Sequence, residues 1–321
     1  MHVAQQHSAV KRLPAFVAAL LLAGACAVYA EIKWHCLSNE TDSDRRTDLF
    51  AGEPATTVIQ QATASSAVHV TPNATLASAP GLECYKIETA VATYYLEKSG
   101  AGLAALIDRD GHDWIGFRPE PGSGPAGEFR GFPNAVHGQA GNYFHPKNHV
   151  TEPSTMEVEY VGPDRVTISA TSGNGVWASR YDFFPTHGTF TMTKMPSTNQ
   201  YWVLYEGTPG GQYDDTDWWM TSAVKERQPM TTNHEGDIPA PEWIVFGDEK
   251  LQRVLFVVHH EDDEHPDRFY QMKQQMTVFG FGRSGGDKFL DFVPQRVSIG
   301  FLETTDHAAI SAALERKGLT P

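Results

Sequence analysis

The chain has 321 residues, 40% of them hydrophobic, with 39 aspartates and glutamates against 25 lysines and arginines, for a formal charge of −14. So acidic a balance argues against nucleic acid or an anionic membrane as partner. No Gly-x-Ser-x-Gly elbow, phosphate-binding loop or dinucleotide fingerprint occurs, which removes the usual support for serine hydrolase, nucleotide-dependent and redox chemistry.

The N-terminus comes first. Lys11 and Arg12 precede the apolar run "LPAFVAALLLAGACAVYA", which ends in small residues at Val28-Tyr29-Ala30. This is the layout of an export signal, so residues 1–30 are expected to be removed, leaving a secreted or periplasmic protein that begins at Glu31. Lipid attachment at Cys26, within "LAGAC", is the competing expectation. The run contains Pro14 and no comparable segment follows, so no membrane span is expected in the mature chain. Residues 1–30 hold two cations and no acid, and their removal takes the charge from −14 to −16. Cys36 and Cys84 remain, and an oxidising compartment favours a disulfide between them.

Residues 31–83 are rich in Ala, Thr, Ser and Pro without a sustained period, as in "AGEPATTVIQQATASSAVHVTPNATLASAP", and read as a tail or spacer. From residue 84 the character changes. "CYKIETAVATYYLEK" alternates, and "GLAALIDRDGHDWIGF" places two apolar runs around Asp108-Arg109-Asp110-Gly111, which predicts a hairpin. Nine further runs read as strands: "TMEVEYV", "RVTISAT", "VWASRYDFF", "GTFTMTKM", "YWVLYEG", "EWIVFG", "RVLFVVHH", "MTVFGFG" and "RVSIGFLE". Only "DHAAISAALERKG", with Asp306 at its start and Gly318 at its end, predicts a helix. Residues 84–321 are therefore expected to be one all-β domain, a large antiparallel sandwich or barrel with a short C-terminal helix.

"GAGLAALIDRDGHDWIGF", "GEFRGFPNAVHG" and "YDFFPTHGTFTMTK" resemble segments of galactose-mutarotase-like domains, the large β-sandwich shared by sugar epimerases and several polysaccharide-degrading enzymes. The resemblance spans residues 90–300 in pattern and implies that fold and a carbohydrate ligand. Soluble aldose epimerases carry an Asn-His-Ser/Thr segment, whereas here Asn233-His234 is followed by Glu235, so no epimerase residue is carried over.

Two segments concentrate groups suited to chemistry. Between residues 128 and 149 lie Arg130, His137, Tyr143, His145 and His149 among glycines: a guanidinium fork for a carboxylate, with His and Tyr to move protons. In "YWVLYEGTPGGQYDDTDWWM" a strand delivers Glu206 to a Gly-Gly loop followed by Tyr213, Asp214, Asp215, Asp217, Trp218 and Trp219. Aromatic faces beside carboxylates make a saccharide site, and Trp218 and Trp219, being adjacent, face opposite sides of a strand. Asp214, Asp215 and Asp217 are the candidate ligands for Ca²⁺, though no cofactor is required. In "HHEDDEHPD" one of His259 and His260 can face a site, and His187 sits at a turn between strands.

These residues give an expected function: an exported lyase that breaks a uronate-containing glycan by β-elimination. Arg130 would neutralise the sugar carboxylate, His145 act as base and Tyr143 as acid, with His137, His187, Tyr213, Trp218 and His259 lining the substrate. The alternatives are a glycoside hydrolase pairing Glu206 with one of Asp214, Asp215 and Asp217, and a non-catalytic carbohydrate-binding module.

Overall fold

The computed structural model describes residues 67–120, 122–123, 127–147 and 152–321. The export signal, Cys26, Cys36 and His149 lie outside these residues. Strands β1 (His69–Leu76), β2 (Ala79–Glu88), β3 (Ala92–Glu97) and β4 (Gly102–Asp108) form an antiparallel sheet in sequence order. Then follow β5 (Thr155–Val161), β6 (Val166–Thr171), β7 (Ala178–Phe184), β8 (His187–Lys194), β9 (Val203–Gly207), β10 (Asp217–Thr221), β11 (Gln228–Pro229) and β12 (His234–Gly236). The chain continues through β13 (Trp243–Asp248), β14 (Val254–His259), β15 (Asp267–Met272), β16 (Met276–Phe281), β17 (Arg283–Ser284), β18 (Asp287–Lys288) and β19 (Gln295–Leu302) to helix α1 (His307–Arg316).

Nine of these strands make one sheet in the order β11-β10-β13-β14-β19-β8-β7-β6-β5, and β12-β15-β16-β9 make another. Residues 131–134 stitch this last sheet to β1–β4. The Leu103 N–H donates to the Phe132 carbonyl at 2.7 Å, and the Gly131 N–H to the Glu206 carbonyl at 2.8 Å. The result is a two-layer antiparallel sandwich. Its main core takes Leu106, Tyr205 and Phe279 from one layer and Phe190, Phe246 and Ile299 from the other.

Strand β14 explains its own unbroken apolar run. Leu255 and Val257 face the main core, whereas Val254, Phe256 and Val258 face a second one closed by Ile310, Leu314 and Leu319 at the C-terminus. A strand covered on both faces has no reason to alternate. The Asp306 carboxylate caps α1 by accepting from the Ala309 N–H at 2.8 Å, and Gly318 adopts φ +67° just past its end, as the sequence predicts.

One expectation is corrected. The spacer does not extend to residue 83, because β1 and the first half of β2 are sheet, with Leu76, Ala79 and Leu82 buried. Their small and polar residues serve an outer layer that buries few positions, which hides the strand period. Among the described residues Cys84 is a free thiol, fully buried within β2, and Cys36, its expected partner, lies outside them.

Candidate active site

Glu206 lies on β9, in register with Val278 of β16, while its neighbour Tyr205 points into the main core. Strand alternation therefore sends Glu206 to the opposite face. It is 3% exposed, and the Asn134 side-chain amide donates to its Oε2 at 2.5 Å. Burial raises its pKa to about 8; the Asn134 bond and the Arg283 charge pull the other way without cancelling this, and Glu128 adds to it. A carboxyl group that keeps its proton at neutral pH is suited to general acid–base work.

The groups around Glu206 come from distant parts of the chain. Trp202 donates its indole N–H to the Asn134 carbonyl at 2.8 Å. The Arg283 guanidinium sits 4.8 Å from the centre of the Trp202 ring and 5.1 Å from that of Tyr270, and its Nη2 donates to the Tyr270 hydroxyl at 3.1 Å. Its Nη1 is buried without an acceptor. The Lys288 ammonium lies 4.0 Å from the Trp202 ring centre, and burial, then the Arg283 charge, lowers its pKa. Lys288 also lines an open polar cleft of about 510 Å³ with Gln139, Asn199, Gln200 and Asp287.

The 128–149 segment meets β9, as its pairing through Gly131 requires, but Arg130 and His145 already have partners within the chain, and the Tyr143 hydroxyl is buried without one. Arg130 forks onto Glu128, with Nε donating to Oε1 at 2.8 Å and Nη2 to Oε2 at 2.9 Å. Its carboxylate partner lies two residues away, so the expected substrate contact is already filled. His145 is 2% exposed, with its ring nitrogens 2.7 and 2.8 Å from the Pro146 and Phe129 carbonyls. Tyr143 is fully buried in the main core, and burial raises its phenol pKa. His137 is half-buried, its ring edge against Phe129. These positions hold a long loop in place.

The other candidates scatter. Trp218 packs in the second core with Arg227 over its ring, and Trp219 packs in the main core, so the pair does face opposite ways, but into two cores rather than toward a sugar. His187 stacks on Phe184 in a separate cleft bounded by Lys317, where burial, then Lys317 and His260, lower its pKa to about 4. Tyr213 donates to the Gln271 side chain at 3.2 Å beside Asp214, Asp215 and Asp217 in a cleft of about 560 Å³. These three aspartates do not gather as ion ligands: Asp214 pairs with Lys250, Asp215 is exposed, and Asp217 is buried, which raises its pKa to about 8. His259 meets Glu242 and Gln295, away from Glu206.

Among the groups around Glu206, Asn134, Arg283, Lys288 and Tyr270 were not singled out by sequence. The one local signal was Arg283 beside the Gly-rich turn "GRSGGDK", directly after an aromatic strand.

No family model and no curated protein matches the sequence. Solved structures do. Alpha-N-acetylgalactosaminidase NagBb from Bifidobacterium bifidum, a quadruple mutant, is 11% identical with a TM-score of 0.47, over 73% of this chain and 39% of that one. A galactose mutarotase related enzyme from Lactobacillus acidophilus is 10% identical, with a TM-score of 0.42 over 70% of this chain and 98% of that one. A galactose mutarotase-like protein from Lactobacillus casei gives 10% identity and a TM-score of 0.42 over 67% and 98%. The last two are named as relatives of galactose mutarotase. At identities of 10–11% and TM-scores below 0.5, no residue's role passes across from them.

Proposed function

We propose that the chain is an exported carbohydrate-active enzyme that cleaves a uronate-containing glycan by β-elimination, with its chemistry at Glu206 rather than at the 143–145 loop. The observation that carries the reading is a buried carboxyl with its pKa near 8, held by Asn134 beside an arginine whose Nη1 has no acceptor. Arg283 holds the sugar carboxylate and stabilises the charge that develops when the adjacent C–H loses its proton. Lys288, whose pKa is lowered, takes that proton. Glu206 donates its own proton to the leaving glycosidic oxygen as the C–O bond breaks, which leaves a double bond in the sugar. The cations at 283 and 288 supply the local positive charge that an acidic protein needs to bind a polyanion.

Hydrolysis by paired carboxylates has less support, since Glu128 is committed to Arg130 and Asp217 opens on another cleft. The test is incubation of the mature protein with a panel of uronate polysaccharides, followed by the absorbance of the unsaturated uronate. Absorbance that grows with wild type and is lost with Arg283→Met supports the reading. New reducing ends without absorbance would point to hydrolysis, and binding with neither would leave a carbohydrate-binding module. Export is checked by sequencing the N-terminus of the secreted protein, expected at Glu31.

A further inference from the structure

Away from Glu206, β13 and β14 run antiparallel and their ends bring Glu242 and His259 together, with Asp263 supplied by the following loop. One ligand atom from each of Glu242, His259 and Asp263 lies within 4.8 Å of the others. Glu242 and His259 are buried, and Asp263 is half-buried. Within the trio, His259 Nδ1 is in hydrogen-bond contact with Glu242 Oε2. We propose that this trio is a binding site for a divalent first-row transition ion of the Zn²⁺ type, independent of the reaction proposed at Glu206.

Three observations point to a cation. First, the Asp263 Oδ1 accepts from the His265 N–H at 2.7 Å, but its Oδ2, shielded from solvent, has no donor. A buried carboxylate oxygen without a donor costs free energy that a cation would recover. Second, the far side of His259 is prepared as ligand imidazoles usually are. Its Nε2 lies 2.9 Å from the Gln295 side-chain oxygen, and Gln295 is 1% exposed, with its amide nitrogen buried and unpartnered. A proton on Nε2 donated to Gln295 leaves Nδ1 with its lone pair toward the two carboxylates. Third, the arginine beside the trio is already committed. Arg296, the cation lining the adjoining cleft, is paired with Glu261.

The neighbouring trio Asp237, Glu242 and Asp267 also brings oxygen atoms together. There, however, the Asp267 carboxylate accepts the Ile238 and Gly282 N–H groups at 3.1 Å each, so its needs are met by the backbone. An imidazole with two carboxylates favours a transition ion over Ca²⁺ or Mg²⁺, which take oxygen. An open cleft of about 330 Å³, lined by Glu242, His259 and the C-terminal residues 318–321, gives an ion a way in.

The experiment uses the mature chain stripped with a chelator, dialysed against Zn²⁺, Mn²⁺ or Ca²⁺, and assayed for metal content by mass spectrometry and for melting temperature. One tightly held Zn²⁺ per chain is expected, with a rise in melting temperature of about 5–10 °C at a hundredfold excess over Kd. His259→Ala and Glu242→Gln should lose the ion and the rise. Asp263→Asn, isosteric and half-exposed, keeps the fold as judged by circular dichroism and should weaken binding at least tenfold. No retained Zn²⁺ and no change in melting temperature would overturn the site, as would equal Zn²⁺ affinity in wild type and Asp263→Asn. Retention of Ca²⁺ alone would overturn the imidazole-centred assignment. Loss of Zn²⁺ binding with the glycan reaction intact, or the reverse, separates this site from the Glu206 reading.

Discussion

Glu206→Gln removes the ionisation of the Glu206 carboxyl and keeps its shape, and the Gln oxygen can still accept from Asn134. In the folded chain the Glu206 pKa rises from its ordinary 4.5 to about 8, chiefly through burial. Between those two values the folded state keeps a proton that the unfolded state has released, so wild-type stability falls as pH rises through the window and levels off above it. At about 1.4 kcal/mol per pKa unit the full span is worth roughly 5 kcal/mol, and relaxation around the charge brings the expected figure to about 3–5 kcal/mol. The variant has nothing to ionise there. The two proteins should match in stability near pH 4.5 and diverge steadily, with Glu206→Gln more stable by that amount at pH 8 and above. Urea unfolding, followed by fluorescence of the seven tryptophans at each pH, measures the difference. Asp217 and Asp267, whose pKa values are also raised, are common to both proteins and drop out of the comparison. Parallel stability curves across pH 4.5–8 would refute the assignment of a buried, protonated Glu206.

Four other outcomes follow from the same structure. Arg130→Lys loses the fork onto Glu128 and should cost about 2–3 kcal/mol in urea unfolding while activity per folded molecule persists; a selective loss of turnover would return Arg130 to the catalytic site. His145→Ala should likewise cost about 2–4 kcal/mol without changing specific activity, because both ring nitrogens face backbone carbonyls. A chain beginning at Gly81 lacks Val68 and Leu76, whose burial is worth roughly 3–6 kcal/mol together, so its thermal transition should weaken or vanish; unchanged cooperative melting would place β1 outside the folding unit. The Cys84 thiol, pushed up to about 12 by burial and then by Glu97, should resist alkylation at pH 8 until the chain is unfolded, and rapid native labelling would contradict its place in the sheet.

Which parts of the fold were legible in the sequence depends on how each strand is covered. β5 to β8 and β19 were readable as strands because turn residues bound each run. In β10, "DWWMT" is buried on both sides, and a run without alternation leaves nothing in the sequence to say that Trp218 and Trp219 enter separate cores. β1 escaped notice for the opposite reason, since most of its residues face outward. The site was half readable. Glu206 stood out between an aromatic strand and a glycine, but Asn134 lies 72 residues before it and Arg283 follows on another strand, contacts that only strand pairing creates. Arg130 and His145 attracted attention by residue type, and type does not reveal that Glu128 and two carbonyls satisfy them.

The central claim, that Glu206 delivers the proton, is tested most directly by turnover of a uronate glycan as a function of pH in wild type and Glu206→Gln. With Glu206 as the acid, wild-type kcat should fall above about pH 8 as the carboxyl ionises, and the Gln variant should lose about 10²- to 10⁴-fold in kcat with little change in KM. A folded Glu206→Gln protein that turns over the same glycan at the wild-type rate would contradict it.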